Sequence, residues 1–154
     1  MNQIWNRLQL VFAQGVASLV KADKVQAKVL DEEVLDNLAR VEPYGFSYRP
    51  KPDCQAYLLF PSGDRSYGVA IMCGDKRYQM TLEEGEVAIH DDIGHSITLS
   101  RDGIVIDGGG HALRVTNCQQ ITVSGGDVIA DGISLKNHHH TGVQTGSGIT
   151  GNPL

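Results

Sequence analysis

Ile97-Thr98-Leu99-Ser100-Arg101-Asp102-Gly103-Ile104-Val105-Ile106 places two brief apolar pairs, Ile97/Leu99 and Ile104/Ile106, on either side of a polar, glycine-containing turn. Leu113/Val115, Ile121/Val123, Val128/Ile129 and Ile133/Leu135 continue the pattern toward the C-terminus. The pairs recur at intervals of about eight residues with Gly, Asp, Asn and Ser between them, the rhythm of a β-solenoid or a stack of short strands. Each such strand buries only two side chains. Burial gains roughly 25 cal/mol per Å² of apolar area, whereas ordering costs about 1 to 2 kcal/mol per residue, so a lone copy does not hold itself together. Three copies wound around one axis resolve this, because each contributes an Ile, Leu or Val to every layer and each strand edge pairs with the next chain. No Phe, Trp or Tyr follows Tyr78, as a narrow three-fold prism with no room for three rings requires. A single-chain parallel β-helix normally uses turns of about 20 or more residues. The spacing therefore favours an intertwined homotrimer.

Upstream of this region the pattern differs. From about Val25 to His90 the chain has short strand signals: Val25, Ala27 and Val29 alternate with polar neighbours, and Ala56-Tyr57-Leu58-Leu59-Phe60 is an apolar run. Pro61-Ser62-Gly63-Asp64 has turn composition and Tyr67 to Met72 returns as a second apolar run, which predicts a hairpin. Lys76 to Met80 and Gly85 to His90 bring the count to about five strands, suited to a small β-barrel of the OB type. Before it, Ile4, Trp5, Leu8, Val11, Phe12, Val16 and Leu19 fall at helical spacing among polar residues. This predicts an amphipathic N-terminal helix, docked on a partner or packed on its own domain, rather than a signal peptide or membrane span. The expected organisation is a helical docking segment over 1–22, an OB barrel over 23–93, a β-helix over 94–136 and a tip over 137–154.

Composition narrows the function. The 154 residues carry a formal net charge of -5 and scattered Lys and Arg, which argues against nucleic acid or anionic lipid as the primary partner. Tyr44, Phe46 and Tyr48 alternate as a base-stacking platform would, but Pro43, Gly45 and Pro50 interrupt them and no basic groove accompanies them. Cys54, Cys73 and Cys118 have neither disulfide nor zinc-knuckle spacing and fit a protein made in a reducing cytoplasm. Asp102, Asp107, Asp127 and Asp131 fall in turns, where they serve better as turn formers than as a glycosidase pair. Gly108-Gly109-Gly110 lacks the Lys and Ser/Thr of a phosphate-binding loop.

Asn137-His138-His139-His140-Thr141-Gly142 carries the metal-binding chemistry. In an extended segment alternate side chains share a face, so His138 and His140 point one way and His139 the other. Two imidazoles do not close a metal site. In a trimer they become six nitrogens in an octahedral set, which suits Fe(II), Co(II) or Ni(II) better than zinc. Full coordination leaves no open position for a substrate, so such a metal is structural. His90, His95 and His111 are too scattered in sequence to join the site and are expected to be surface or packing residues.

Pro43-Tyr44-Gly45-Phe46, Leu59-Phe60-Pro61-Ser62-Gly63-Asp64-Arg65, Gly85-Glu86-Val87-Ala88-Ile89 and the ending Ile133 to Val143 together resemble the Mu-like baseplate assembly protein V family, the central spikes of contractile phage tails. The resemblance covers nearly the whole chain. It implies an N-terminal OB domain, a triple-stranded β-helix and a pointed tip where the His-x-His of each chain, here His138 and His140, holds one structural iron ion per trimer. It further implies a non-enzymatic virion component at the baseplate tip, assembled in the host cytoplasm. Such a part would attach to the baseplate hub and tail tube and puncture the host outer membrane, without binding nucleic acid. A spike from a tailocin or a type VI-like secretion machine is the nearest alternative, and an OB-based binding module the more distant one.

Overall fold

The computed structural model describes residues 11–30, 33–142 and 146–147. It divides into two units, Met1–His111 and Ala112–Leu154, and it is all-β. Five strands, β1 (Phe12–Val20), β2 (Lys24–Lys28), β3 (Val34–Arg40), β4 (Cys54–Leu59) and β5 (Val69–Gly74), close a barrel in the order β1-β2-β3-β5-β4. All contacts are antiparallel except β3 with β5, which run parallel. This is the strand order of a small OB-type barrel, in which closure removes every free edge.

Inward-facing residues supply the core: Ala17, Val20, Val25, Ala27, Leu38, Cys54, Ala56, Leu58, Phe60, Ala70 and Cys73. Strand β4 shows the period-2 logic most clearly, with Cys54, Ala56 and Leu58 buried and their neighbours half-buried. The predicted hairpin is present: β4 and β5 pair from Leu59↔Val69 to Gln55↔Gly74, joined through a 3-10 turn at Pro61–Gly63.

Two expectations change. Phe12–Val20 is a strand, not the end of an N-terminal helix, and the remainder of that predicted helix lies outside the described residues. The helical spacing of Phe12, Val16 and Leu19 is misleading because these are the outward residues, 55%, 45% and 41% exposed. The small residues Gly15 and Ala17 face in, and a Cβ on Gly15 would lie 2.4 Å from the Lys28 carbonyl oxygen. Ladders to β2 and β4 on both sides outweigh a weak helical moment.

The barrel's members also differ from those expected over 23–93. Lys76–Tyr78 is a 3-10 turn, with the Asp75 carboxylate accepting from the Arg77 amide, and β6 (Val87–His90) leaves the barrel altogether. Their places are taken by β1 and by β3. In β3 only Leu38 is buried and Asn37 has φ 56°, so no alternation is visible in its sequence.

Over the expected β-helical stretch, 94–136, a single chain shows paired strands and exposed apolar residues. In one chain, β6, β7 (His95–Ser100) and β8 (Gly103–Gly108) form an antiparallel three-stranded sheet. Its register sets Val87 opposite Leu99, Ile89 opposite Ile97, Ile97 opposite Ile106 and Leu99 opposite Ile104. Directly opposed residues share a face, so these six form one apolar face, and all six are exposed. In the second unit, Leu113, Val115, Ile121 and Val123 are exposed and outside any strand, and the only ladder among the described residues is β9 (Ile129–Ala130) with β10 (Ile133–Ser134). No helix among the described residues is long and apolar enough to cross a membrane.

Candidate metal centre

The β9–β10 hairpin closes through Asp131-Gly132, both at positive φ (47° and 82°), the conformation that a two-residue Asp-Gly hairpin turn requires. Asp127, just before the hairpin, ties its two ends together. Its Oδ1 accepts from the amides of Val128 at 2.8 Å and Lys136 at 3.1 Å, and its Oδ2 accepts from the Ser134 hydroxyl. Ser134 Oγ in turn accepts from the Asn137 amide at 2.8 Å. The Ser134 hydroxyl above all, then the Val128 and Lys136 amides, hold the Asp127 carboxyl below its ordinary range against the opposing effect of desolvation.

This network delivers the histidines. The His138 amide donates to the Ser134 carbonyl at 3.2 Å, and its ring Nδ1 lies 2.8 Å from the same oxygen and 3.2 Å from the Leu135 carbonyl. Carbonyl oxygens only accept, so Nδ1 carries a proton, and in the neutral ring Nε2 keeps its lone pair. A ring nitrogen tied to a carbonyl behind a free one is the arrangement found behind metal-bound histidines. The His140 ring stands 5.2 Å from that of His138, centroid to centroid, at 82°. His138 and His140 are thus brought together. Among the described residues no group of three or more His, Cys, Asp or Glu side chains converges on a metal position, so one chain supplies a pair and no more. The donor set is compatible with a borderline ion such as iron(II): neutral imidazole, oriented from behind.

Sequence reasoning missed Asp127 as an organising residue and treated it as a turn former. No local signal marks it, because its partners Ser134 and Lys136 come near only when the hairpin closes. It also missed that His95 and His111 meet: their ring centroids are 5.1 Å apart. The aromatic trio does not form a stacking platform. Tyr48 packs on the core with the Arg40 guanidinium 4.5 Å above its ring, whereas Tyr44 is fully exposed. The two buried thiols are not available chemistry either: burial, with the neighbouring Cys73, pushes Cys54 up to about 11, and burial also raises Cys73.

Comparison with known proteins places both halves of this architecture. Residues 9–77, spanning the whole barrel, match the family model of Bacteriophage Mu Gp45, N-terminal, and residues 132–153, containing both histidines, match the GpV Apex motif. The baseplate puncturing device gp45 of Escherichia phage Mu is 31% identical over 108 residues, covering 67% of this chain. The chain spans about half of that relative, 55% of its length. With an OB-type barrel under the first match and the His-x-His turn under the second, the chain belongs to the Mu-like baseplate assembly protein V family.

Proposed function

We propose that this chain is the central spike of a contractile phage tail baseplate, a mechanical part rather than an enzyme, driven through the host outer membrane when the tail contracts. The observation that carries the reading is where burial stops. Among the described residues every buried core residue lies between Ala17 and Cys73, whereas Val87, Ile89, Ile97, Leu99, Ile104 and Ile106 form one uncovered apolar face and the apolar residues from Leu113 to Leu135 are also exposed. Monomeric proteins rarely leave so much contiguous apolar surface to water. Three chains intertwined as a triple-stranded β-helix would cover it, and the narrow, ring-free layers suit a slender shaft. The puncturing role named for the phage Mu relative supports the same reading.

His138 and His140 from each of three chains would hold one iron ion. Bound there, the metal supplies cross-linking of three chain ends that would otherwise fray. The barrel would face the baseplate hub and tail tube, and the spike would sit at the virion's tail tip after assembly in the host cytoplasm. A tailocin or type VI-like spike shares this physics and differs only in the cargo that crosses the membrane behind it.

Light scattering of the full chain is expected to give the mass of a trimer, and a monomer at all concentrations would refute the shaft. Metal analysis of protein made without an affinity tag should find about one iron per three chains. That iron should be absent from a His138→Ala, His140→Ala variant. Protons compete with metal for imidazole nitrogen, so acidification should release the ion.

A further inference from the structure

His95 and His111 are brought together by a built arrangement of backbone turns. His95 opens β7 opposite Gly108, the last residue of β8. The chain then reverses, with the His111 amide donating to the Gly108 carbonyl at 2.8 Å. This turn lies against the preceding one: a Cβ on Gly109, whose φ is 55°, would come within 2.9 Å of the Gly94 carbonyl carbon and 3.1 Å of the Ile93 oxygen. A Cβ on Gly108 would come within 2.5 Å of the His111 oxygen. Gly109 therefore has a steric role, allowing two turns to pack backbone to backbone, and Gly108 lets its own turn close tightly on His111. The result sets the His111 ring 5.1 Å from that of His95 at 66°, nearly the separation of the pair at His138 and His140.

Asp91 completes the arrangement. Its Oδ1 accepts from the amides of Ile93 and His95, both at 3.0 Å, which locks the carboxylate in place. Its Oδ2 accepts from His95 Nδ1 at 2.6 Å. In the neutral ring the proton is therefore on Nδ1, which leaves the lone pair on Nε2. A carboxylate holding the far nitrogen of a histidine is the support that fixes tautomer and raises basicity in metal ligands.

We propose that His95 and His111 form a second metal site, distinct from the tip, for a borderline divalent first-row ion such as zinc, cobalt(II), nickel or copper(II), with Asp91 as the positioning residue. Ring centroids about 5 Å apart allow two nitrogens to approach one ion at roughly 2.0–2.1 Å. The donors are imidazoles and the Asp91 oxygen nearest them is already engaged, which disfavours magnesium and calcium. No third His, Cys, Asp or Glu joins the pair among the described residues. Water fills the remaining positions, so the ion exchanges more readily than one held by six imidazoles. The pair lies within a single chain, and the site does not depend on the trimer or on iron at the tip.

The test uses the full chain carrying His138→Ala and His140→Ala, titrated with Co²⁺ near neutral pH and followed by visible absorption and calorimetry. The expected result is one saturable site per chain, abolished by His95→Gln or His111→Gln and weakened roughly 10- to 100-fold by Asp91→Asn. No saturable binding, or binding that survives both histidine replacements, overturns the proposal. Proton NMR of the tip-less protein gives a readout independent of those replacements: Co²⁺ should perturb the His95 and His111 ring signals together, and perturbation of neither overturns it.

Discussion

The barrel and the strands after it are built from similar apolar residues and differ in what they do with them. In the barrel, Leu58, Phe60 and Val25 are almost fully removed from water. In the sheet of β6, β7 and β8, isoleucines and leucines in regular cross-strand register stay exposed. Regular strands do not make a core unless a second layer covers them. The barrel is its own second layer because it closes, whereas a three-stranded sheet and a two-residue hairpin cannot close on themselves. One region covers its own apolar residues and the other leaves them exposed.

That contrast can be broken most directly from the barrel side. Phe60→Ala removes a ring with no exposure and should destabilise the barrel by about 3–5 kcal/mol in chemical denaturation. A change below about 1 kcal/mol would mean the barrel is not an independent core. Ile106→Ala tests the other side. The residue is 55% exposed in one chain, so a free surface predicts a change within about 0.5 kcal/mol. Coverage by neighbouring chains predicts about 2–5 kcal/mol per chain, and the larger loss is the expected outcome.

The remaining predictions sharpen the comparison in finer steps. Asp127→Ala should weaken metal retention at His138 and His140 roughly 10- to 100-fold while leaving the denaturation of the barrel unchanged. Asp127 titrates below the ordinary carboxylate range in the folded chain. The order it imposes is therefore fully present above its unfolded value of about 3.9 and is lost as pH falls through the lower folded value. Amide signals of Val128 and Lys136 should report that loss at acidic pH, and signals that shift instead near neutrality would remove Asp127 as their cause. The smallest effect is chemical: Cys54 and Cys73, buried with raised thiol values, should resist a thiol reagent at neutral pH until the barrel is unfolded.

Several features were legible because they depend on neighbours in sequence. Strand β4 alternates over six residues, and the turn after it carries Pro and Gly, so the β4–β5 hairpin is a consequence of local chemistry. The His138/His140 pairing comes from the two-residue period. Other features were not legible. Strand β3 has Asp36 and Asn37 at its centre, contributes one buried leucine and takes its place through a parallel pairing of Ala39 and Arg40 with Val69 and Ala70. Strand β1 lines most of its inward face with alanine and glycine, Val20 at its end excepted, while displaying larger residues outward, which inverts the usual hydrophobic signal. At the tip, the histidines were evident and their organiser Asp127 was not.

By itself the sequence determined an all-β chain with an aromatic-bearing first part, a ring-free second part and two histidines on one face near the end, because composition and short-period patterning act within a few residues. Tertiary structure alone decided which strands close the barrel, which face of β1 is its inside, that Asp127 ties the tip turn together and that His95 meets His111. Each of those rests on backbone hydrogen bonds or steric fit between segments brought together only by the fold, and such contacts leave no regular spacing in the chain.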